Sequence, residues 1–283
     1  MLELGKSFVF FSDDDLDKWV RLHGAELPDV EARLSHDPVL EAHGCMSDVC
    51  FFERLGFEDV KSLDVSDWEG ADFIHNLNEP VPEALREQFD AIFDGGTVQS
   101  IFHLPQLFGN IFHLLKPGGR VIHAMAPSHN HVDHGFFMFS PTFFYDYYSA
   151  NGWTIDRMLI CEQTLYWTEG RLRTGTFHVY EYEPGCLDHL SFGRFGAGQL
   201  GIFVVATKSE QTTCGVVPTQ SYYREFWKKD ADERKRELLE QAASVAPRRR
   251  LYENPIYQAY KRSREWLRRH PLSRRMPRRV ASY

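Results

Sequence analysis

The chain has 283 residues, 25% of them charged and 43% hydrophobic, the balance of a folded globular protein and not of a disordered or fibrous one. No run approaches the roughly 18 to 20 apolar residues of a membrane-spanning helix. The start MLELGKSFVFFSDDD also lacks the basic head and apolar run of a secretory signal, so a cytoplasmic location is expected. Five cysteines (Cys45, Cys50, Cys161, Cys186, Cys214), scattered and without a CxxC pair, read as free thiols and argue against a disulfide framework or a thiolate zinc site.

The formal charge of −8 conceals an asymmetry: from Ser221 onward there are 18 Lys and Arg against 8 Asp and Glu, so the acidity lies in the preceding residues. The expected organisation is one folded domain over 1–210 and a basic, largely helical tail over 211–283. Asp230 to Glu240 mixes both signs at helical spacing. Further on, Ile256, Tyr260 and Leu267 fall near one helical face among Lys261, Arg262, Arg264, Arg268 and Arg269. Such a stretch suits peripheral contact with anionic lipid, an acidic partner or the acidic body itself. No nucleic-acid-binding motif is present, and the acidic body argues against a specific nucleic-acid partner.

In chain order, Met1, Leu2 and Leu4 begin a strand that stops at Gly5. Ser12 with Asp13 to Asp15 opens a helix ending at Gly24. A second short helix is predicted over Asp29 to Leu34 and a third from Ser47 to Gly56. The period then changes: strands are predicted at Val60 to Val65, Phe73 and Ile74, Phe89 to Phe93, and Arg120 to Met125, with a helix from Ser100 to Leu115 before the last. Trp153 to Ile160, Gly175 to Tyr182 and Gly201 to Ala206 supply further strands. Strands alternating with helices predict an α/β doubly wound, mostly parallel sheet. Its ligand end lies at the strand carboxyl ends, which here read LDVSD, HNLNEP, FDGGT and APSHNH.

Three segments resemble the class I S-adenosylmethionine-dependent methyltransferases: LGFEDVKSLDVSD as the second strand with its terminal acid, FDAIFDGGTVQSIFHLPQLFGNIFHLLKPGGRVI as the fourth strand, its helix and the turn into the fifth, and SHNHVDHGFFMFSPTFFYDYYSANGW as the segment after the fifth. The last is similar to a branch associated with bacterial surface-sugar loci. The resemblance implies a Rossmann-like fold, S-adenosylmethionine as cofactor, and methyl transfer to an oxygen of a small molecule or glycan. It places Asp64, with Val65 and Ser66 beside it and Asp67 as rival, on the cofactor ribose, Asn76 and Leu77 near the adenine, and Asp94, Gly95 and Gly96 near the methionine end. The usual GxGxG loop after the first strand is missing; only Gly5 stands there, and Ser47 and Asp48 at the start of the third helix are expected to supply contacts in its place. Gln99, Ser100 and Asn76 replace residues that this branch often shows as Glu, His and Asp, which leaves open a binding or scaffold protein without methyl transfer.

His129, His131, Asp133 and His134 form HxHxDH. Taken alone, that spacing fits a divalent metal site, either of a metal-dependent hydrolase or of a metal-assisted methyltransferase. Within the methyltransferase reading, His134 is the expected general base for the acceptor hydroxyl, helped by Asp133 or His131. The aromatic run from Phe136 to Tyr148 is expected to be packing, part of it lining an acceptor site.

Overall fold

The computed structural model describes residues 1–168, 171–187 and 198–221, isolated positions between 223 and 239, and 279–282. Its strands are β1 (Leu2–Leu4), β2 (Lys61–Asp64), β3 (Phe73–Ile74), β4 (Phe89–Asp94), β5 (Leu115–His129), β6 (Thr154–Thr168), β7 (Arg171–Glu181), β8 (Gln199–Thr207) and β9 (Arg279–Ser282), and its helices are α1 (Asp13–His23), α2 (Pro38–Ala42), α3 (Asp48–Arg54), α4 (Leu104–Leu114) and α5 (Pro141–Ala150). All nine strands join one sheet in the order β3-β2-β1-β4-β5-β8-β6-β7-β9. The first five pair parallel; β8 enters antiparallel to β5, and β6, β7 and β9 continue antiparallel.

Both faces of the parallel half are covered. Leu2, Leu4, Ile92 and Val121 turn toward one layer, where Leu107, Phe108, Ile111 and Leu114 of α4 and Phe144 and Tyr148 of α5 complete the main core. Met1 and Ala91 turn the other way onto Phe52 of α3, and Val9, Leu16, Met46 and Cys50 close that side. Each large side chain fully buried here contributes about 1.5–3 kcal/mol.

Local chemistry sets the helix ends. Ser12 and Asp15 form a reciprocal capping box on α1, and Gly24 ends it in the left-handed conformation at φ 62°. The helix predicted over Asp29 to Leu34 is not formed. The short helix lies at Pro38–Ala42, where Asp37 accepts the N–H groups of Val39 and Leu40 and Pro38 occupies the first turn. A cap with proline behind it outweighs a weak apolar period. The helix expected from Ser100 begins at Leu104, after a 3-10 turn at Val98–Ser100. The LKPGG turn bulges out of β5, with Gly118 at φ 82° and its N–H donating to Lys208 O at 2.8 Å.

The chain stays on the body beyond residue 210. Asn151 Oδ1 accepts from Val216 N at 2.9 Å, and Asp146 accepts from Ser221 N at 2.8 Å. Positions 232, 233, 235, 236 and 239 are helical, and β9 pairs antiparallel with β7, so the end of the basic segment belongs to the sheet. The predicted amphipathic stretch 256–269 lies outside the described residues. Among the described residues no helix is long and apolar enough to cross a membrane, and the five cysteines form no disulfide.

Candidate functional site

The strand order reverses between β1 and β4, and in such sheets a crevice opens at that point beyond the carboxyl ends. Three strand ends meet there. Gly5 follows β1 at φ 73° and donates its N–H to Leu63 O of β2 at 2.8 Å. Thr97, three residues after β4, donates its hydroxyl to Leu4 O at 2.5 Å. A Cβ on Gly5 would lie 2.8 Å from Thr97 Oγ1 and 3.6 Å from Asp64 Oδ2. The position therefore needs glycine twice over, for its backbone angle and for its space. Gly95, the next turn residue, has room for a Cβ only 3.0 Å from Ser7 Oγ and 2.9 Å from the Phe93 ring.

Below this crevice, two residues before Gly5 on the same face of β1, lies Glu3. It is fully buried, beside the Ser7 hydroxyl and the Asp48 carboxyl, and neither of its oxygens makes a hydrogen bond of good geometry. Asp48, at the first position of α3 and 3% exposed, pairs with Lys6 Nζ at 3.1 Å. Burial first, and the charge of Asp48 second, push the Glu3 carboxyl up to about 8. With Glu3 neutral near pH 7, Lys6 balances Asp48, and ionising Glu3 would call for one further positive charge beside it.

The other predicted residues divide by what already occupies them. Asp64 Oδ1 accepts from Ser66 N at 3.0 Å, leaving Oδ2 toward Gly5; Val65 is exposed, and Ser66 Oγ accepts from Trp68 N. Asn76 folds onto its own turn, its Oδ1 accepting from Asn78 N at 3.1 Å and Nδ2 at 2.9 Å. The Leu77 side chain belongs to the main core. Ser47 Oγ caps α3 by accepting from Cys50 N at 3.1 Å. Asp94, expected at the methionine end, turns its carboxylate away from the crevice into the α5 layer and is 1% exposed. There it accepts from Thr97 N at 2.7 Å and Val98 N at 3.1 Å and bonds His123 Nδ1 at 2.6 Å, while His123 Nε2 reaches Tyr148 Oη at 2.7 Å. Burial alone would raise the Asp94 carboxyl, but the His123 contact and the two N–H groups outweigh it and hold the carboxyl below its ordinary range. Asp94 thus shapes the glycine turn from behind.

The HxHxDH segment does not assemble as its spacing suggests. His129 ends β5, and Asn130 and Asp133 adopt left-handed backbone at φ 58° and 60°, which splays the side chains apart. Asp133 and His134 are exposed while His131 is half-buried. The His131 and His134 rings stand 6.3 Å apart, and no group of three or more His, Cys, Asp or Glu converges on a metal-sized space among the described residues. Among the described residues, then, the spacing alone does not build a metal site. Burial first, and the neighbouring His134 second, lower the His131 imidazole pKa, so its ring is neutral at pH 7.

Glu3, Thr97 and His123 escaped the sequence reading. A lone acid inside the apolar run MLEL and a lone histidine inside RVIHAM were the available signals. A cleft of about 760 Å³ opens at the opposite, amino end of the sheet, between Met1, Phe57 and Phe89. Its Lys116 is paired to Asp90 and its Lys61 to Asp59 and Asp72, so both lysines are already satisfied.

No protein-family model matches the chain, and no curated protein matches it. Among solved structures it is similar to a protein from work on the conversion of a disulfide bond into a thioacetal group in echinomycin biosynthesis, at 14% identity over 70% of this chain and 92% of the other, with a TM-score of 0.33. It is also similar to an S-adenosylmethionine-dependent methyltransferase of Thermotoga maritima, at 13% identity over 52% and 72% with a TM-score of 0.34, and to the 1,6-didemethyltoxoflavin-N1-methyltransferase of Burkholderia thailandensis, at 16% over 58% and 66% with a TM-score of 0.28. The strand order itself carries the fold: a 3-2-1-4-5 parallel half, helices on both faces, and an antiparallel continuation make it a doubly wound, Rossmann-like α/β fold.

Proposed function

We propose that this protein transfers a methyl group from S-adenosylmethionine to an oxygen of a small molecule. The observation that carries this reading is the crevice at the switch point, where Gly5, Asp64 and Thr97 converge above the buried carboxyl of Glu3. The residues fit the cofactor in two respects. The glycine leaves backbone open to close approach, and the buried Glu3 carboxyl, once ionised, would need a cationic group such as an amino acid's ammonium.

The cofactor supplies an electrophilic methyl on a sulfonium. Asp64, with Oδ2 toward the crevice, would accept the two ribose hydroxyls. Glu3, balanced by the Lys6–Asp48 pair, would hold the ammonium end, and this is how α3 replaces the missing glycine-rich loop. The backbone at Asn76 and Leu77 would border the adenine. Gly95 and Gly96, fixed from behind by Asp94, would let the methyl-bearing end pass close to the chain. On the acceptor side His134 is the exposed imidazole and takes the hydroxyl proton. Asp133 or His131, its neighbours in the same loop, would assist His134.

Calorimetric titration with S-adenosylhomocysteine tests this. Micromolar binding that Asp64→Ala weakens by about 30- to 100-fold is expected; no binding to the intact protein would sink the reading.

A further inference from the structure

Beyond the crevice, the segments after β4 and β5 expose a small aromatic surface. Phe102 and Phe136 are 71% and 65% exposed, and their rings meet edge to face at 5.5 Å. Phe137 stands 6.3 Å from Phe102, and Val132 and Met138 add further exposed apolar area in the same loop. Contiguous apolar groups this exposed mark a place where something binds.

The surface is fixed to the cofactor turn through Gln99. Phe136 N–H donates to Gln99 O at 2.7 Å. Gly135 sits at φ 82°, where a Cβ would strike Gln99 Cγ at 2.5 Å, and on its other side Gln99 borders Gly96, whose Cβ would lie 3.3 Å from Gln99 Nε2. Gln99 is only 3% exposed, yet its Oε1 has no hydrogen-bond partner, and neither does the buried His131 Nε2. Buried polar atoms without partners in a native fold call for an explanation. Beside an apolar surface, the fitting ligand is apolar in body and carries a hydroxyl.

We propose, resting on the methyl-transfer reading, that the acceptor is a planar aromatic molecule bearing a phenolic hydroxyl, its ring seated on Phe102 and Phe136 and its hydroxyl turned toward Gln99 and His134. Phenylalanine faces and edges pair with aromatic rings, whereas a glycan needs many hydrogen bonds that Phe102, Phe136, Val132 and Met138 cannot give. Proton affinities point the same way. A phenol ionises near a pKa of about 10, within about four units of an imidazole at about 6.5, while an aliphatic hydroxyl lies nearer water at about 16 and is a poor match for histidine. In the reaction the phenolic oxygen bonds to the methyl carbon as the carbon–sulfur bond breaks. The electron pair of that bond stays on sulfur, neutralising the sulfonium, and the hydroxyl proton passes to His134.

The test uses 2-naphthol with the full chain in the presence of S-adenosylhomocysteine, followed by its intrinsic fluorescence, and compares methyl transfer to 2-naphthol and to methyl glucoside with S-adenosylmethionine. The expected result is saturable one-to-one binding, weakened about tenfold in the Phe102→Ser/Phe136→Ser double variant, with S-adenosylhomocysteine affinity retained and transfer to the phenol the faster. If S-adenosylhomocysteine binds but naphthol does not, or binds the double variant equally, or the glucoside is methylated faster, the phenolic acceptor is overturned while methyl transfer stands. Failure to bind S-adenosylhomocysteine at all overturns both.

Discussion

Asp94 and His123 meet at 2.6 Å with both side chains withdrawn from solvent, and through Tyr148 the pair ties the turn after β4 to helix α5. The same carboxylate gathers the N–H groups of Thr97 and Val98. Thr97 in turn closes onto Leu4 O beside Gly5, so a residue that faces away from the crevice fixes the shape of its rim.

Replacing Asp94 by alanine is therefore expected to act on stability first. Removing one partner of a buried, hydrogen-bonded pair costs about 3–5 kcal/mol, which lowers the melting temperature by roughly 10 °C in a protein of this size. The lowered Asp94 carboxyl makes its contribution above the pKa of the unfolded chain and loses it as pH falls through the folded value. Thermal melts across the acid range should show the variant and the parent converging at low pH.

At the crevice, Asp64→Ala is expected to weaken S-adenosylhomocysteine by about 30- to 100-fold, as loss of a charged hydrogen-bond acceptor does. Gly5→Val should weaken it at least as much, because a Cβ there meets Thr97 Oγ1. Calorimetry on folded, monodisperse protein checks both, and unchanged affinity in either would remove that residue from the site.

Glu3 makes a proton-linked prediction. Its carboxyl is held neutral up to about 8, against an ordinary value of about 4.3 in the unfolded chain. Its contribution to stability is full below the unfolded value and disappears as pH rises through the folded one. Glu3→Gln should therefore flatten the decline in stability from about pH 5 to 8. A cationic ligand would ionise Glu3, so cofactor binding near pH 7 should release about one proton in the parent and none in the variant. Titrations in buffers of different ionisation enthalpy measure this directly.

His134→Ala is expected to reduce turnover by about 10²- to 10³-fold, the usual loss of a general base, with S-adenosylhomocysteine affinity unchanged. Because His134 is exposed, the substitution should leave the melting temperature within about 1 °C. Single-turnover rates with a phenolic acceptor provide the measurement.

Much of the fold was legible in order along the chain, because each strand of the parallel half ends in polar turn residues and α1 and α3 carry side-chain caps at Ser12 and Ser47. That Asp64 and Gly5 stand at strand ends was legible for the same reason: a carboxylate or a glycine directly after an apolar run is a local signal. Asp94 was identified by its position, but its direction was not. Side chains alternate across a strand, and only the pairing of β4 with β5, which sets Asp94 opposite His123, decides that it faces α5. The HxHxDH spacing is likewise a one-dimensional pattern, whereas a metal site needs donors that converge in space; the left-handed backbone at Asn130 and Asp133 turns them apart. Glu3 beside Asp48, and Gln99 wedged between Gly96 and Gly135, join residues separated by more than 30 positions, so no local pattern contains them. The sequence by itself determined most of the strands, the longer helices and which end of the sheet is polar. The tertiary structure alone decided which polar atoms are left buried without partners, because that depends on the pairing of segments distant in the chain.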